Sequence, residues 1–361
     1  MKRLIIADLK SFNNGYKQTG HYFTLARNYQ ELFSTICQVN VTGGPIYRTG
    51  FKEEELLSLP YDYIVGDNVL KNKWGTLMNC YHLMRQTQAD DIIVLQRSGA
   101  VTNFFALILF GSKKKKVYSI QYDTEALNTP IKRLIYQLAK NKIAGIICPS
   151  DTIGKRFHLP YCVVSDYIYA SDPAQTESIP FTEKKYDFAM VGRISPEKGI
   201  IEALKRLVTT PYRIIVAGKP QNKEIEQQLQ KITISNPNIE LHLGFVSDND
   251  FHYYLRQSKY SLMNYQGVYA SRSSGVVLDA LFNGTPIIGH RSMALQFIEE
   301  EEVGLLYNDI TQIDLSIVED VQQYYSYTKH INCYLQKHKY YKDILMRFLQ
   351  LKNSSQYKKT V

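Results

Sequence analysis

Short apolar runs that read as strands alternate with helical patterns along nearly the whole chain, and that alternation leaves few folds open. In the first half, RLIIADL, TICQVNV, YDYIVGD, DIIVLQR, KVYSIQY and GIICPS look like short buried strands. Between them HYFTLARNYQELF, WGTLMNCYHLMRQT and PIKRLIYQLAKNK have helical patterns. A polar stretch at 169–185, YASDPAQTESIPFTEKK, breaks the rhythm and reads as a linker. The alternation then resumes with YDFAMVG, YRIIVAG, IELHLGF, YSLMNY and TPIIGH, interleaved with GIIEALKRL, KEIEQQLQKI, DFHYYLRQ and GVVLDALFNG. Such β-α units build mostly parallel sheets with helices on both faces. The fold class expected is α/β, with two doubly wound domains in tandem, which suits 361 residues, more than one ordinary core serves. The domains expected are 1–175, 176–325 and a basic C-terminal segment, 326–361. Ligands of doubly wound sheets sit at the carboxyl ends of the strands.

Charge is divided unevenly: +7 over residues 1–175, −5 over 176–325 and +7 over 326–361. Basic ends of this kind mark a surface that meets nucleic acid or anionic lipid, or simply a solvated face. The Lys-rich parts lack aromatic interleaving, so no nucleic-acid partner is expected. The longest clean apolar run, Phe104 to Phe110, is far short of the roughly 20 residues that a membrane-spanning helix needs. The apolar stretch of the N-terminus breaks at Asp8, too early for a secretory signal, so a cytoplasmic location is expected. Five scattered cysteines without C-x-x-C spacing suggest small buried hydrophobes rather than disulfides or a zinc site.

One stretch asks for an anion. In VGRISPEKGI, residues 191–200, Arg193 and Lys198 stand at the carboxyl end of an expected strand, beside the start of a helix. Free backbone N–H groups and the helix dipole favour negative charge there, and a diphosphate fits. Gly192 and Gly199 let the backbone turn tightly, and Pro196 sets the turn. The competing reading is an exposed turn with two surface cations.

The ordered set GRISPEKGI, YRIIVAG, IELHLGFVSDNDF and GVVLDALFNGTPII, about 130 residues in all, resembles the donor-binding domain of family-4 glycosyltransferases of the GT-B fold. The first half is similar more loosely, through a loop with Gly15 and Gly20, the helix from His21, and AGIICPSDTIGKRFHLP. The resemblance implies two Rossmann-like domains facing each other across a cleft, the C-terminal helices at 326–361 returning to the first domain. It implies retaining, metal-independent transfer of a sugar from a nucleotide-diphosphate donor, with no cofactor, to a glycan or lipid-linked acceptor in cell-surface polysaccharide synthesis.

By the same resemblance Arg193 and Lys198 match the diphosphate-binding pair, and Gly192, Ser273, Ser274 and Gly275 lie at the phosphate turns. Asp279 matches the second carboxylate of the family's Glu-x7-Glu motif, which hydrogen-bonds the ribose; the competing reading is an acid in the first turn of a helix. Gly20 and His21 match the cleft loop, and Tyr122 and Asp123 stand where the family often has His and Asp. Ser271 replaces the first Glu of the motif, and Gln296 sits where a Glu is frequent. These departures fit altered sugar recognition or lost catalysis. The alternatives are therefore an inactive nucleotide-sugar-binding protein or another GT-B enzyme, such as a nucleotide-sugar epimerase.

Two further motifs carry weaker signals. Asp248-Asn249-Asp250 has an acidic x-acidic form that can hold a divalent cation, but it precedes FHYYLRQS and reads better as the acidic start of a helix. FFALILFGSKKKK, residues 104–116, reads as a buried helix covering the sheet, followed by a lysine run suited to peripheral contact with an anionic membrane.

Overall fold

The computed structural model describes residues 2–9, 21–61, 68–96, 101–164, 179–234, 236–267, 274–292 and 295–351. The expected strand YDYIVGD lies, past Tyr61, outside them. The chain divides into two compact units, Met1–Ala170 with His338–Val361, and Ser171–Lys337.

The first unit runs β1 (Arg3–Ala7), α1 (His21–Phe33), β2 (Gln38–Thr42), α2 (Val69–Gln86), β3 (Ile92–Leu95), α3 (Val101–Phe110), β4 (Lys116–Ile120), α4 (Pro130–Ala139), β5 (Gly145–Cys148), α5 (Asp151–Arg156) and β6 (Tyr161–Val163). Its strands are parallel in the order β2-β1-β3-β4-β5-β6. The caps that begin its helices are legible: Thr129 accepts from Lys132 N ahead of Pro130, and Ser150 accepts from Ile153 N. Apolar residues at strand spacing fill both faces of β1, where Leu4, Ile5, Ile6 and Ala7 are fully buried. Under the helices, Phe104, Tyr136 and Phe157 form a run of edge and tilted ring contacts at 5.3 and 5.4 Å.

The second unit runs β7 (Tyr186–Val191), α6 (Ile200–Leu207), β8 (Ile214–Gly218), α7 (Lys223–Thr233), β9 (Ile239–Leu243), α8 (Asp248–Arg256), β10 (Ser258–Met263), α9 (Gly275–Phe282), β11 (Ile287–His290), α10 (Phe297–Glu300) and β12 (Gly304–Tyr307). Its sheet is also parallel, in the order β12-β11-β10-β7-β8-β9. Phe188, Ile214, Val216, Tyr260 and Ile288 fill its centre. The C-terminal segment read as helices is, as far as described, one 28-residue helix, α11 (Val321–Phe348). No Gly or Pro interrupts it, so nothing forces a break.

Several local expectations change. The linker ends earlier than its polar composition suggests: 165–178 lie outside the described residues, but Phe181 is buried with its ring 5.0 Å from that of Tyr324. One phenylalanine with a pocket to fill outweighs its polar neighbours. The FFALILF helix is not wholly buried; Phe104, Ala106 and Leu107 face the core while Phe105 and Leu109 are exposed. Four cysteines are buried as expected, and Cys333 is exposed on α11. Asp248 and Asp250 occupy the first turn of α8, with Ser247 capping Asp250 N at 3.1 Å.

Lys184 follows Phe181 into the core, 4% exposed, and its Nζ donates to the Arg256 carbonyl at 2.6 Å. Burial, with the Arg256 charge adding to it, pushes its ammonium down from 10.5 to about 8. Between those two values the unfolded chain holds more protons than the folded one, so this group makes stability rise with pH across that window. Lys184→Met is expected to be more stable at pH 7 by about 1–3 kcal/mol and to lose that rise. Urea melts of both proteins at pH 7, 9 and 10.5 measure the difference; a difference that does not change with pH would reject this account.

Candidate functional site

In the second sheet the chain winds outward from β7 through β8 to β9, then returns so that β10 lies on the other side of β7. That reversal leaves a crevice outside the carboxyl ends of β7 and β10, the place where doubly wound sheets admit ligands. The two strands are in register with Phe188 opposite Tyr260 and Ala189 opposite Ser261, so their exit loops start side by side.

The loop leaving β7 is held close to its neighbours. Gly192, at φ +103°, donates its N–H to the Ala217 carbonyl at 2.9 Å, and a Cβ on Gly218 would lie 1.7 Å from the Gly192 oxygen. Two glycines therefore let adjacent turns touch. Ile194, 1% exposed, pins the loop to the core. Pro196–Lys198 make a single 3-10 turn, and Gly199 in the left-handed conformation starts α6.

That turn carries Lys198 inward. The residue is 6% exposed; its Nζ donates to the Tyr265 hydroxyl at 3.0 Å and stands 4.6 Å from the Tyr265 ring centroid. The same hydroxyl lies 2.8 Å from Ser274 Oγ. Ser274 occupies the N-cap of α9, yet its side chain does not cap the helix. The Ser274 carbonyl accepts from Val277 N at 3.0 Å, and its hydroxyl leaves the N–H groups of Gly275 and Val276 to another acceptor, near a fixed ammonium. Asn264 joins the loops: its Nδ2 donates to the Gly199 carbonyl at 3.0 Å, and its Oδ1 accepts from the Tyr307 hydroxyl at 3.0 Å. Gln266 N donates to the Glu197 carbonyl at 2.8 Å. Arg193 is exposed on the same loop. The Ser195 hydroxyl and the Glu197 amide, with the Arg193 charge nearby, hold the carboxyl of the half-buried Glu197 below the usual range.

Of the residues picked from the sequence, Gly192, Lys198, Ser274 and Gly275 come together here. Asp279 is half-buried in the second turn of α9, so it is not a first-turn acid; the helix begins at Gly275, four residues earlier. It shares a helix face with Val276, whose Cγ2 would lie 3.2 Å from a Cβ on Gly192. Tyr122 and Asp123 follow β4 in the first unit: Tyr122 is buried, and Asp123 Oδ1 accepts from Glu125 N at 2.8 Å. His21 opens α1, while its side chain, Gly20, Ser271 and Ser273 lie outside what is described. Gln296 is exposed and donates to Glu300 at 3.0 Å. Sequence reasoning missed Tyr265 and Asn264, having absorbed both into a strand, YSLMNY. Two polar-tipped residues closing a strand before a long turn were the available signal.

Residues 171–321 match the family model of glycosyl transferases group 1. That segment, under half of the chain, is similar to the glycosyl transferases of group 1. Among solved structures, Anabaena HepE in complex with UDP and glucose is 13% identical, with a TM-score of 0.68 over 97% of this chain and 99% of its own. An E. coli structure named for trehalose-6-phosphate and bound with UDP-2-fluoro glucose is 10% identical, with a TM-score of 0.69 over 97% and 99%. AviGT4, a glycosyltransferase involved in avilamycin A biosynthesis, is 15% identical, with a TM-score of 0.61 over 97% and 96%. No curated protein matches the chain by sequence. At such identities the likeness carries the fold alone, and the fold is GT-B, two Rossmann-like domains of six described parallel strands each. The segment that is similar to that family lies in the unit that holds Lys198, Tyr265 and the amino end of α9.

Proposed function

We propose that the protein is a retaining glycosyltransferase of the family-4 type that moves a sugar from a nucleotide-diphosphate donor to a glycan or lipid-linked acceptor. The acceptor belongs to cell-surface polysaccharide synthesis, and the protein works in the cytoplasm, in peripheral contact with the inner face of an anionic membrane. The observation that carries this reading is the buried Lys198 ammonium, fixed by Tyr265 at the carboxyl ends of β7 and β10 beside the amino end of α9.

The chemistry follows from charge. As the glycosidic bond breaks, negative charge grows on the leaving diphosphate, so a cation already in place stabilises the transition state more than the ground state. Lys198 and the α9 amides take the diphosphate, with Gly192 allowing the close approach and Arg193 adding charge from the open side of the loop. Asp279 accepts from the ribose hydroxyls, two acceptor oxygens meeting two neighbouring donors. Ser273 adds a turn amide, Asp123 acts as a catalytic residue with Arg193 and Lys198, and Tyr122, His21 and Gly20 serve the acceptor side. The role needs no metal, because the protein supplies the positive charge itself.

The solved relatives that carry UDP or a UDP-sugar support UDP as the first nucleotide to test. Thermal unfolding of the purified chain with UDP-, GDP-, dTDP- and CMP-sugars is expected to single out one donor. At 100 times its Kd that donor adds about 2.7 kcal/mol of stability. Slow release of its nucleotide, absent in Lys198→Ala, marks an enzyme; stable binding without release marks the inactive binder. A chain that none of the four stabilises has no donor site here.

A further inference from the structure

Eight of the fifteen large apolar side chains exposed among the described residues lie on three consecutive helices of the first unit, α2, α3 and α4, so the exposure is a surface rather than scatter. The helices form one layer: the Tyr81 ring of α2 lies 5.3 Å from Phe110 of α3, and Phe104 of α3 lies 5.3 Å from Tyr136 of α4. A helix layer on a sheet ordinarily turns polar residues to water. Here the outward residues are Leu70 and Trp74 on α2, Phe105 and Leu109 on α3, and Ile131 and Leu134 on α4, between 42% and 77% exposed. Spacings of three or four residues put each pair on one helix face.

The charged residues on these helices have one sign, and Glu125, just before α4, pairs with Lys132 at 3.5 Å. The three helices contain no Asp or Glu. Lys71, Lys73 and Arg133 are exposed on them, and Lys113 and Lys114 are exposed just after α3. The rest of the lysine run is engaged elsewhere, Lys115 with the Met84 and Thr87 backbone and Lys116 with Gln350.

We infer that this face docks on an anionic lipid bilayer, its apolar side chains entering the boundary between headgroups and acyl chains while the lysines meet lipid phosphates. Charge decides between a bilayer and a second copy of the chain, since a two-fold interface would set the cationic face against itself. The inference rests on the membrane contact in the proposed function and gives it a surface, one that uses no residue of the donor site.

Trp74 is the only tryptophan of the chain and stands on this face, so the protein reports its own docking. With vesicles of phosphatidylcholine and phosphatidylglycerol, its emission is expected to shift to the blue and to be quenched by brominated acyl chains. Vesicles of phosphatidylcholine alone should bind at least about tenfold more weakly. Ile131→Ser with Leu134→Ser, both on exposed positions that spare the fold, should lose about tenfold in affinity. Lys113→Gln with Lys114→Gln should lose a similar factor and much of the salt sensitivity. No shift on anionic vesicles, or serine variants that bind like the wild type, overturns the inference. So does a dimer whose Trp74 shifts without lipid, which would give the face to a second copy. Donor-induced thermal shifts on the same samples separate the readings: donor binding without vesicle binding rejects the docking alone, and vesicle binding without donor binding rejects the transferase alone.

Discussion

Lys198→Ala is expected to lower kcat/KM for the donor by about 10²–10³-fold, the usual loss when one preorganised donor to a developing charge is removed. The ammonium is 6% exposed and is aimed by the Tyr265 hydroxyl at 3.0 Å, so it need not reorganise as the reaction proceeds. Its contact with the ring, at 4.6 Å to the centroid, fixes it further in a site with little competing water. Because the diphosphate gains charge only as the bond breaks, kcat should fall more than KM rises. Arginine at this position should not rescue the loss: a planar guanidinium is larger than the slot that an ammonium occupies against Tyr265. Tyr265→Phe keeps the ring and removes the link to Ser274, so a smaller loss, about tenfold in kcat, is expected. Single-turnover rates on folded variants decide the matter; a Lys198→Ala protein with wild-type turnover would remove Lys198 from the mechanism.

How far such a site can be read beforehand depends on the range of the interactions that make it. The strand and helix order was legible because burial on both faces of a parallel sheet writes itself as local apolar runs, as in YDFAMV and RLIIA. β6 and β12 were missed because three or four residues, YCV and GLLY, carry too little periodicity. The residues of the loop after β7 stood out because glycine, proline and lysine are local signals of backbone geometry and charge. Tyr265 was invisible for the opposite reason: its part comes from a partner 67 positions away. Asn264 likewise bridges a carbonyl 65 positions back and a hydroxyl 43 positions on. Contacts of that kind leave no pattern in a single chain. The exposed stripe of α2 to α4 misled in another way. Apolar residues such as Phe105 and Leu109 look like core in any window, and only the packing of the neighbouring helices reveals that two of the FFALILF side chains point outward.

Gly199 is expected to tolerate no side chain, and its replacement by Ala should be among the most damaging small changes in the second unit. Its φ of +59° costs an L-residue about 1 kcal/mol by itself. An added Cβ would also lie 2.2 Å from the backbone oxygen of Asn264 and 2.6 Å from its Nδ2. A backbone oxygen cannot swing aside as the tip of a flexible side chain does, so about 3 kcal/mol or more of lost stability is expected in all. Gly284 supplies the control: its φ is +68°, and nothing lies within 4 Å of where a Cβ would stand. Gly284→Ala should cost only about 1 kcal/mol, the backbone share alone. Urea midpoints of the two variants therefore separate conformation from collision. The collision also has a functional side, because the displaced edge includes the Gly199 carbonyl that Asn264 holds and the turn that carries Lys198. Gly199→Ala should lose donor-induced stabilisation as well as stability, whereas Gly284→Ala keeps it. Equal destabilisation by both substitutions would mean that backbone conformation alone, and not the packing of the two loops against each other, positions Lys198.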